Sequence, residues 1–123
     1  MNIQIFGTRK SSDTRKAERW FKERRIKAQM IDLFDKGISR GELRSVAQAC
    51  GGLEGLVDGN CRDQDALALV QYITAAQREE ALLEHPQLLR QPIVRNGKKA
   101  AVGYCPEVYE RWQREEQWDG GKF

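Results

Sequence analysis

The chain has 123 residues, 40% of them hydrophobic and 32% charged. That length suits one domain rather than two, and the balance is that of an ordinary globular chain, which excludes a disordered chain, a fibrous repeat and a membrane span. No apolar run nears the ~20 residues needed to cross a bilayer, and Met1 to Phe6 lacks the basic-then-apolar layout of a secretory signal, so the expected compartment is the cytoplasm.

The net charge of +3 hides a gradient. Residues 1–45 carry 12 Lys/Arg against 6 Asp/Glu, and residues 46–123 carry 9 against 12. A basic front half either attracts anionic molecules and acidic surfaces or forms a solvated helix face. Nucleic-acid binding is not indicated, because no basic stripe interleaves with aromatics and no zinc-finger or RNP pattern occurs. Cys50, Cys61 and Cys105 form no Cys-x-x-Cys, and His85 stands alone. Neither a zinc ribbon nor a local dithiol pair can be built, so no metal is expected and the thiols read as reduced and structural.

Asn2 to Phe6 alternates Ile3 and Ile5 with polar neighbours and ends at Gly7, the pattern of a strand entering a turn. Ser11, Ser12 and Asp13 are N-cap candidates for a helix over about 13–25. Its inner face carries Ala17, Trp20 and Phe21, with the stem of Arg24 along the edge. Ala28 to Leu33 is a second strand. Ser39-Arg40-Gly41-Glu42 is a capping box. It opens a helix with Leu43, Val46, Ala47 and Cys50 on one face, closed by Gly51 and Gly52, which points Cys50 into the core. Ala66 to Thr74 and Gln77 to Glu84 are helical, and Pro86 closes the second.

Gln91 to Arg95, Asn96-Gly97 and Lys98 to Val102 read as a hairpin with a type I′ turn at Asn96-Gly97. Pro106 suits the first turn of a last helix anchored by Val108, Tyr109 and Trp112. Residues 119–123 form a frayed tail. The order is β-α-β, a helical block, a hairpin and a final helix. The expected fold is therefore α/β, with a four-stranded mixed sheet whose first two strands run parallel.

Four stretches carry a resemblance to the ArsC/Spx/YffB group of arsenate reductase-related proteins. They are Ile5 to Ala17; Asp32 to Gly37 with the Ser39–Glu42 box; His85 to Val94; and Val102-Gly103-Tyr104 with Pro106-Glu107-Val108. The resemblance implies a thioredoxin-like fold over residues 1–118, with a helical insertion at about 39–90.

In the family's enzymes a nucleophilic Cys sits in the loop after the first strand. Ser11 holds that place here, so it is the candidate catalytic position. Serine forms no mixed disulfide, and no base is visibly placed to activate it. The surrounding Arg9, Lys10, Arg15 and Lys16, with the helix N-terminus, still form an anion cradle. Thr14 stands where a Cys-x-x-Cys motif would have its second thiol. The reductases' three oxyanion-binding arginines correspond to Asp58, Gln91 and Tyr104, with Arg90 beside Gln91. Pro92 matches the fold's cis-proline, and Gln91 and Ile93 would line a glutathione-like ligand.

The resemblance thus implies a glutathione-linked thiol reductase scaffold, with glutathione or glutaredoxin as partner and no tightly bound cofactor. With Ser11 in place it would be silent in thiol redox chemistry and not a true arsenate reductase. The alternative is a binding module like the Spx branch, which contacts the α-subunit of RNA polymerase. The Cys-x-x-Cys switch of that branch is missing, because its positions are Ser11 and Thr14. His85 reads as a structural histidine, and Cys105 as a half-buried thiol beside Tyr104.

Overall fold

The computed structural model describes residues 1–71 and 73–117, so the tail expected to fray lies outside the described residues. The elements follow the expected order. They are β1 (Ile3–Gly7), α1 (Ser12–Glu23), β2 (Ala28–Asp32), α2 (Arg40–Cys50), α3 (Gln64–Gln71), α4 (Ala75–Glu84), β3 (Ile93–Asn96), β4 (Lys99–Val102) and α5 (Pro106–Gln117). Short 3-10 turns at Leu53–Leu56 and Pro86–Leu88 punctuate the helical block. Among the described residues no helix is long and apolar enough to cross a membrane.

The sheet order is β2-β1-β3-β4. β1 runs parallel to β2 and antiparallel to β3, and β3 and β4 form the hairpin. The sheet is thus the mixed α/β sheet that the sequence pattern implies.

The pleat sends alternate side chains of β1 to opposite faces. Ile3 and Ile5 pack with Ala17, Trp20 and Phe21 of α1, Val94 and Ala101 of the hairpin, and Tyr109 and Trp112 of α5. Phe6 packs on the other face with Ile31, Ile93, Leu43 and Val46, and with Leu82 and Leu88 from the helical block. Burial of each such side chain contributes about 1.5–3 kcal/mol.

Aromatic edges organise the first face. The Trp20 ring lies 4.9 Å from Phe21 and 5.5 Å from Tyr109, and Tyr109 lies 5.8 Å from Trp112. The guanidinium of Arg24 stacks 3.9 Å over Trp20, which is where its stem was expected to lie.

Several boundaries move for physical reasons. α1 stops at Glu23, because the chain turns through a positive φ of 58° at Arg25. The hairpin turn is displaced by one residue. Asn96 pairs with Lys99 inside the ladder, so Gly97 and Lys98 form the loop. Gly97 has φ 61°, and no positive φ occurs at Asn96. This places Gly at the first central position, as a type II′ turn requires, and not the expected type I′ pair. Cys50 does not reach the core interior. It is the last residue of α2, before the left-handed Gly51, and lies half-buried at the margin of the core. The start of α4 carries a second capping box, Thr74 with Gln77, which sequence reading missed.

One charged node joins α2 to α4. The Glu79 side chain is only 11% exposed. Arg40 Nη1 donates to it at 3.0 Å, and Arg44 donates through Nε at 2.5 Å and Nη2 at 3.1 Å. The two guanidinium groups hold the Glu79 carboxyl below the usual carboxylate range. A carboxylate whose pKa is depressed by folding stabilises the fold above its unfolded pKa of about 4.3, and that contribution disappears as pH falls through the folded value. Glu79→Gln is therefore expected to lower the urea midpoint at pH 7. The gap to the parent chain should close below about pH 4. Urea titrations of both proteins across that range check this.

Candidate functional site

The site is built where β1 ends. Gly7 and Thr8 are buried, and the chain then turns outward, so Arg9 and Lys10 are exposed. The Ser11 amide donates to the Thr8 carbonyl at 3.1 Å and closes this turn. Ser11 is the N-cap of α1, with extended backbone at φ −80° and ψ 120°. Its hydroxyl oxygen accepts from the Thr14 amide at 3.2 Å.

A second loop meets the first. The Gln91–Pro92 peptide bond is cis, as the family resemblance implied. Gln91 Oε1 accepts from the Thr8 amide at 2.7 Å and from the Thr8 hydroxyl at 3.0 Å. The Gly103 amide donates to the Pro92 carbonyl at 2.8 Å and ties this loop to the end of β4. Thr8 is 7% exposed and is the bridge between the two loops. Sequence reading missed it. The available signal was its position, directly after a buried strand and directly before the basic run.

Close packing underlies the turn. Thr14 is 1% exposed, and its hydroxyl oxygen has no hydrogen-bond partner. A Cβ at Gly7 would lie 2.5 Å from that oxygen and 2.7 Å from the Thr14 methyl. Gly7 is not among the glycines with positive φ. The requirement for glycine here is therefore contact with Thr14 and not backbone conformation.

Charge around the loop is basic and solvated. The N-terminus of α1 adds partial positive charge. Arg15 Nη1 donates to the Arg9 carbonyl at 2.5 Å and braces the loop from outside. Asp13 in the first turn faces Lys16 at 3.8 Å and offsets part of the positive charge. Ser11, Thr14, Gln91 and Pro92 thus come together through Thr8, and Arg15 supports them. Arg9 and Lys10 point to solvent.

The remaining candidates have other partners. The Arg90 amide donates to Leu56, and its guanidinium lies 3.5 Å from the Gly55 carbonyl and 3.8 Å from the Cβ position of Gly103. Asp58 Oδ1 accepts from the Asn60 amide at 3.0 Å. Tyr104 is half-buried against Tyr109, at 6.1 Å between rings. His85 caps the C-terminus of α4. Cys105 Sγ donates to the Val102 carbonyl at 3.3 Å, and burial with the nearby Glu107 charge pushes its thiol up against the opposing pull of Arg90. Burial, then the Cys105 charge, pushes the Cys50 thiol up as well. Among the described residues no cluster of three or more His, Cys, Asp and Glu is placed to hold a metal.

A four-stranded mixed sheet with a cis X-Pro bond facing the N-terminus of the first helix is the thioredoxin-like arrangement. The sequence profile of the ArsC family matches residues 6–112, and the chain belongs to that family. It is 28% identical over 107 residues to the global transcriptional regulator Spx 2 of Lactococcus lactis subsp. lactis (strain IL1403), covering 85% of this chain and 81% of the relative. It is 30% identical over 94 residues to the regulatory protein MgsR of Bacillus subtilis (strain 168), covering 75% of each. Among solved structures it superposes on an arsenate reductase from Vibrio cholerae with a TM-score of 0.78, at 24% identity and over 90% of this chain and 97% of the other. That last likeness is one of fold.

The packing of Gly7 on Thr14 gives a double-mutant test. Gly7→Ala should destabilise the fold by about 1–3 kcal/mol through overpacking. Adding Thr14→Ala removes the two closest atoms, so the double variant should lose less than the sum of the single variants, by about 0.5–3 kcal/mol. Chemical denaturation of the four proteins measures this coupling.

Proposed function

We propose that this chain is a redox-silent ArsC-family protein that acts in the cytoplasm by binding a protein partner, as a transcriptional regulator of the Spx kind. The observation that carries this reading is the engagement of Ser11. Its hydroxyl caps α1, and its one hydrogen-bond partner among the described residues is the Thr14 amide. A serine needs a base to become a nucleophile, and no base is bonded to it. It also cannot form the mixed disulfide or arsenic–sulfur adduct that a family cysteine forms. The named relatives with 28–30% identity are regulators, which favours binding over catalysis. That reading points to the α-subunit of RNA polymerase as the partner. The contact would be constitutive, because no Cys-x-x-Cys switch spans positions 11 and 14.

Arsenate chemistry is disfavoured at the pocket as well. Gln91 presents its carbonyl oxygen to Thr8 where the reductases would have a guanidinium. An acceptor held there cannot grip an oxyanion.

A second reading keeps the scaffold's link to glutathione. The cis Gln91–Pro92 bond, the Thr8–Gln91 bridge and the basic loop support this reading, with a thiol peptide lying against them. In that reading the site binds glutathione without reducing anything.

Paired proteins decide the question. The chain as it stands should show no glutathione-dependent disulfide or arsenate reduction. In Ser11→Cys, the α1 N-terminus and Arg15 should hold the new thiol at least one pH unit below the ordinary ~8.5. That variant should gain disulfide reduction without arsenate reduction. The parent chain should bind the purified C-terminal domain of the polymerase α-subunit, both in a pull-down and in titration calorimetry. Reductase activity in the parent chain would overturn redox silence. Absence of binding to that domain, with glutathione bound instead, would move the assignment to the second reading.

A further inference from the structure

We propose that the cleft between α2 and the β3–β4 hairpin is an anion site for a phosphate group, carried as inorganic phosphate or as a small phosphate monoester. It is separate from the Ser11 loop and stands whether or not the reading of that loop holds.

The case starts from the pleat. On the α2 face of the sheet, Ile31, Phe6 and Ile93 lie side by side across three strands and join the core. Two residues back along β1, the next row on that face is Gln29, Gln4 and Arg95. Of these, Gln29 lies exposed on the edge strand β2, while Gln4 and Arg95 lie on the interior strands β1 and β3, where a packed face is normally apolar. Here it is a relay of side chains. Gln4 Nε2 donates to Gln29 Oε1 at 3.4 Å, Arg95 Nη1 donates to Gln4 Oε1 at 3.0 Å, and Arg95 Nη2 reaches Ser45 Oγ at 3.5 Å. The relay holds the guanidinium in one orientation. Its Nε is buried and has no hydrogen-bond partner. That donor is closed off from solvent and is not available to a ligand; what Arg95 offers the cleft is its charge and the N–H bonds that Nη1 and Nη2 do not spend on Gln4 and Ser45.

Arg95 borders a cavity of about 690 Å³ that is also lined by Gly41, Arg44, Ser45, Gln48 and Lys98. No carboxylate lines it. Arg44 is already matched by Glu79. Among the described residues, neither Arg95 nor Lys98 has an acidic partner. Two unmatched cations, a hydroxyl and a carboxamide suit a dianion with several acceptor oxygens, and a phosphate group is that ligand. A single carboxylate would leave one positive charge unanswered. The cavity exceeds the volume of the phosphate alone and leaves space for the rest of an ester.

The test uses the full chain labelled with ¹⁵N. Inorganic phosphate and glycerol 3-phosphate are titrated at constant ionic strength while backbone amide shifts are followed. Saturable shifts centred on Ser45, Gln48, Arg95 and Lys98 are expected with at least one probe. Tighter binding of glycerol 3-phosphate would assign a monoester, and tighter binding of inorganic phosphate the free ion. Lys98→Ala, at an exposed turn position, should weaken binding about tenfold. Arg95→Lys keeps the charge but removes the paired Nη donors and should weaken it similarly. Shifts confined to residues 9–16, shifts that rise without saturating, or affinity unchanged in Lys98→Ala would each overturn the proposal.

Discussion

β1 must bury both of its faces at once, and the rest of the structure follows from that constraint. Ile3 and Ile5 are committed to the aromatic layer under α1 and α5, while Phe6 is committed to the layer under α2. A strand held from both sides has no freedom in register. Its last residue, Gly7, is pressed against Thr14, so the first turn of α1 begins at a fixed point above the sheet. The loop carrying Ser11 is accordingly an extension of the core. That rigidity would suit a nucleophile and suits a binding surface equally well.

Thr8 and Gln91 explain each other at the top of that loop. The Thr8 amide and hydroxyl both point donors at one atom, the carbonyl oxygen of Gln91. An arginine at position 91 would bring further donors to the same place and leave the Thr8 groups without an acceptor. The carboxamide at position 91 is thus matched to the threonine that faces it. One polar pair joins the loop after β1 to the cis-proline loop.

The elements legible in the sequence were those whose signal is local. The Ser39–Glu42 box is a four-residue device, and both of its hydrogen bonds form. The aromatic face of α1 and the anchors of α5 follow helical spacing. Features that depend on tertiary register were not legible. Asn96-Gly97 has turn chemistry, yet the ladder pairs Asn96 with Lys99 and moves the turn onward by one residue. Cys50 continues the apolar spacing of α2, yet the helix ends there and leaves it at the core margin. Thr8 carries no local signal, because its partner is 83 positions away. The polar row Gln29–Gln4–Arg95 was equally hidden, since each member lies in a different strand.

The three cysteines are all at least half-buried. A thiol acts as a nucleophile through its thiolate, and that form is favoured beside cations or a helix N-terminus. Cys50 and Cys105 are half-buried, and burial pushes both thiols up, away from the thiolate at neutral pH. Arg90 pulls Cys105 the other way but does not reverse the direction. Cys61 is buried, with its sulfur donating to the Gln87 carbonyl at 3.3 Å. The start of α1 is such a place, and a serine occupies it. At position 11 the chain thus sets a serine hydroxyl, engaged as the cap of α1, at the start of that helix.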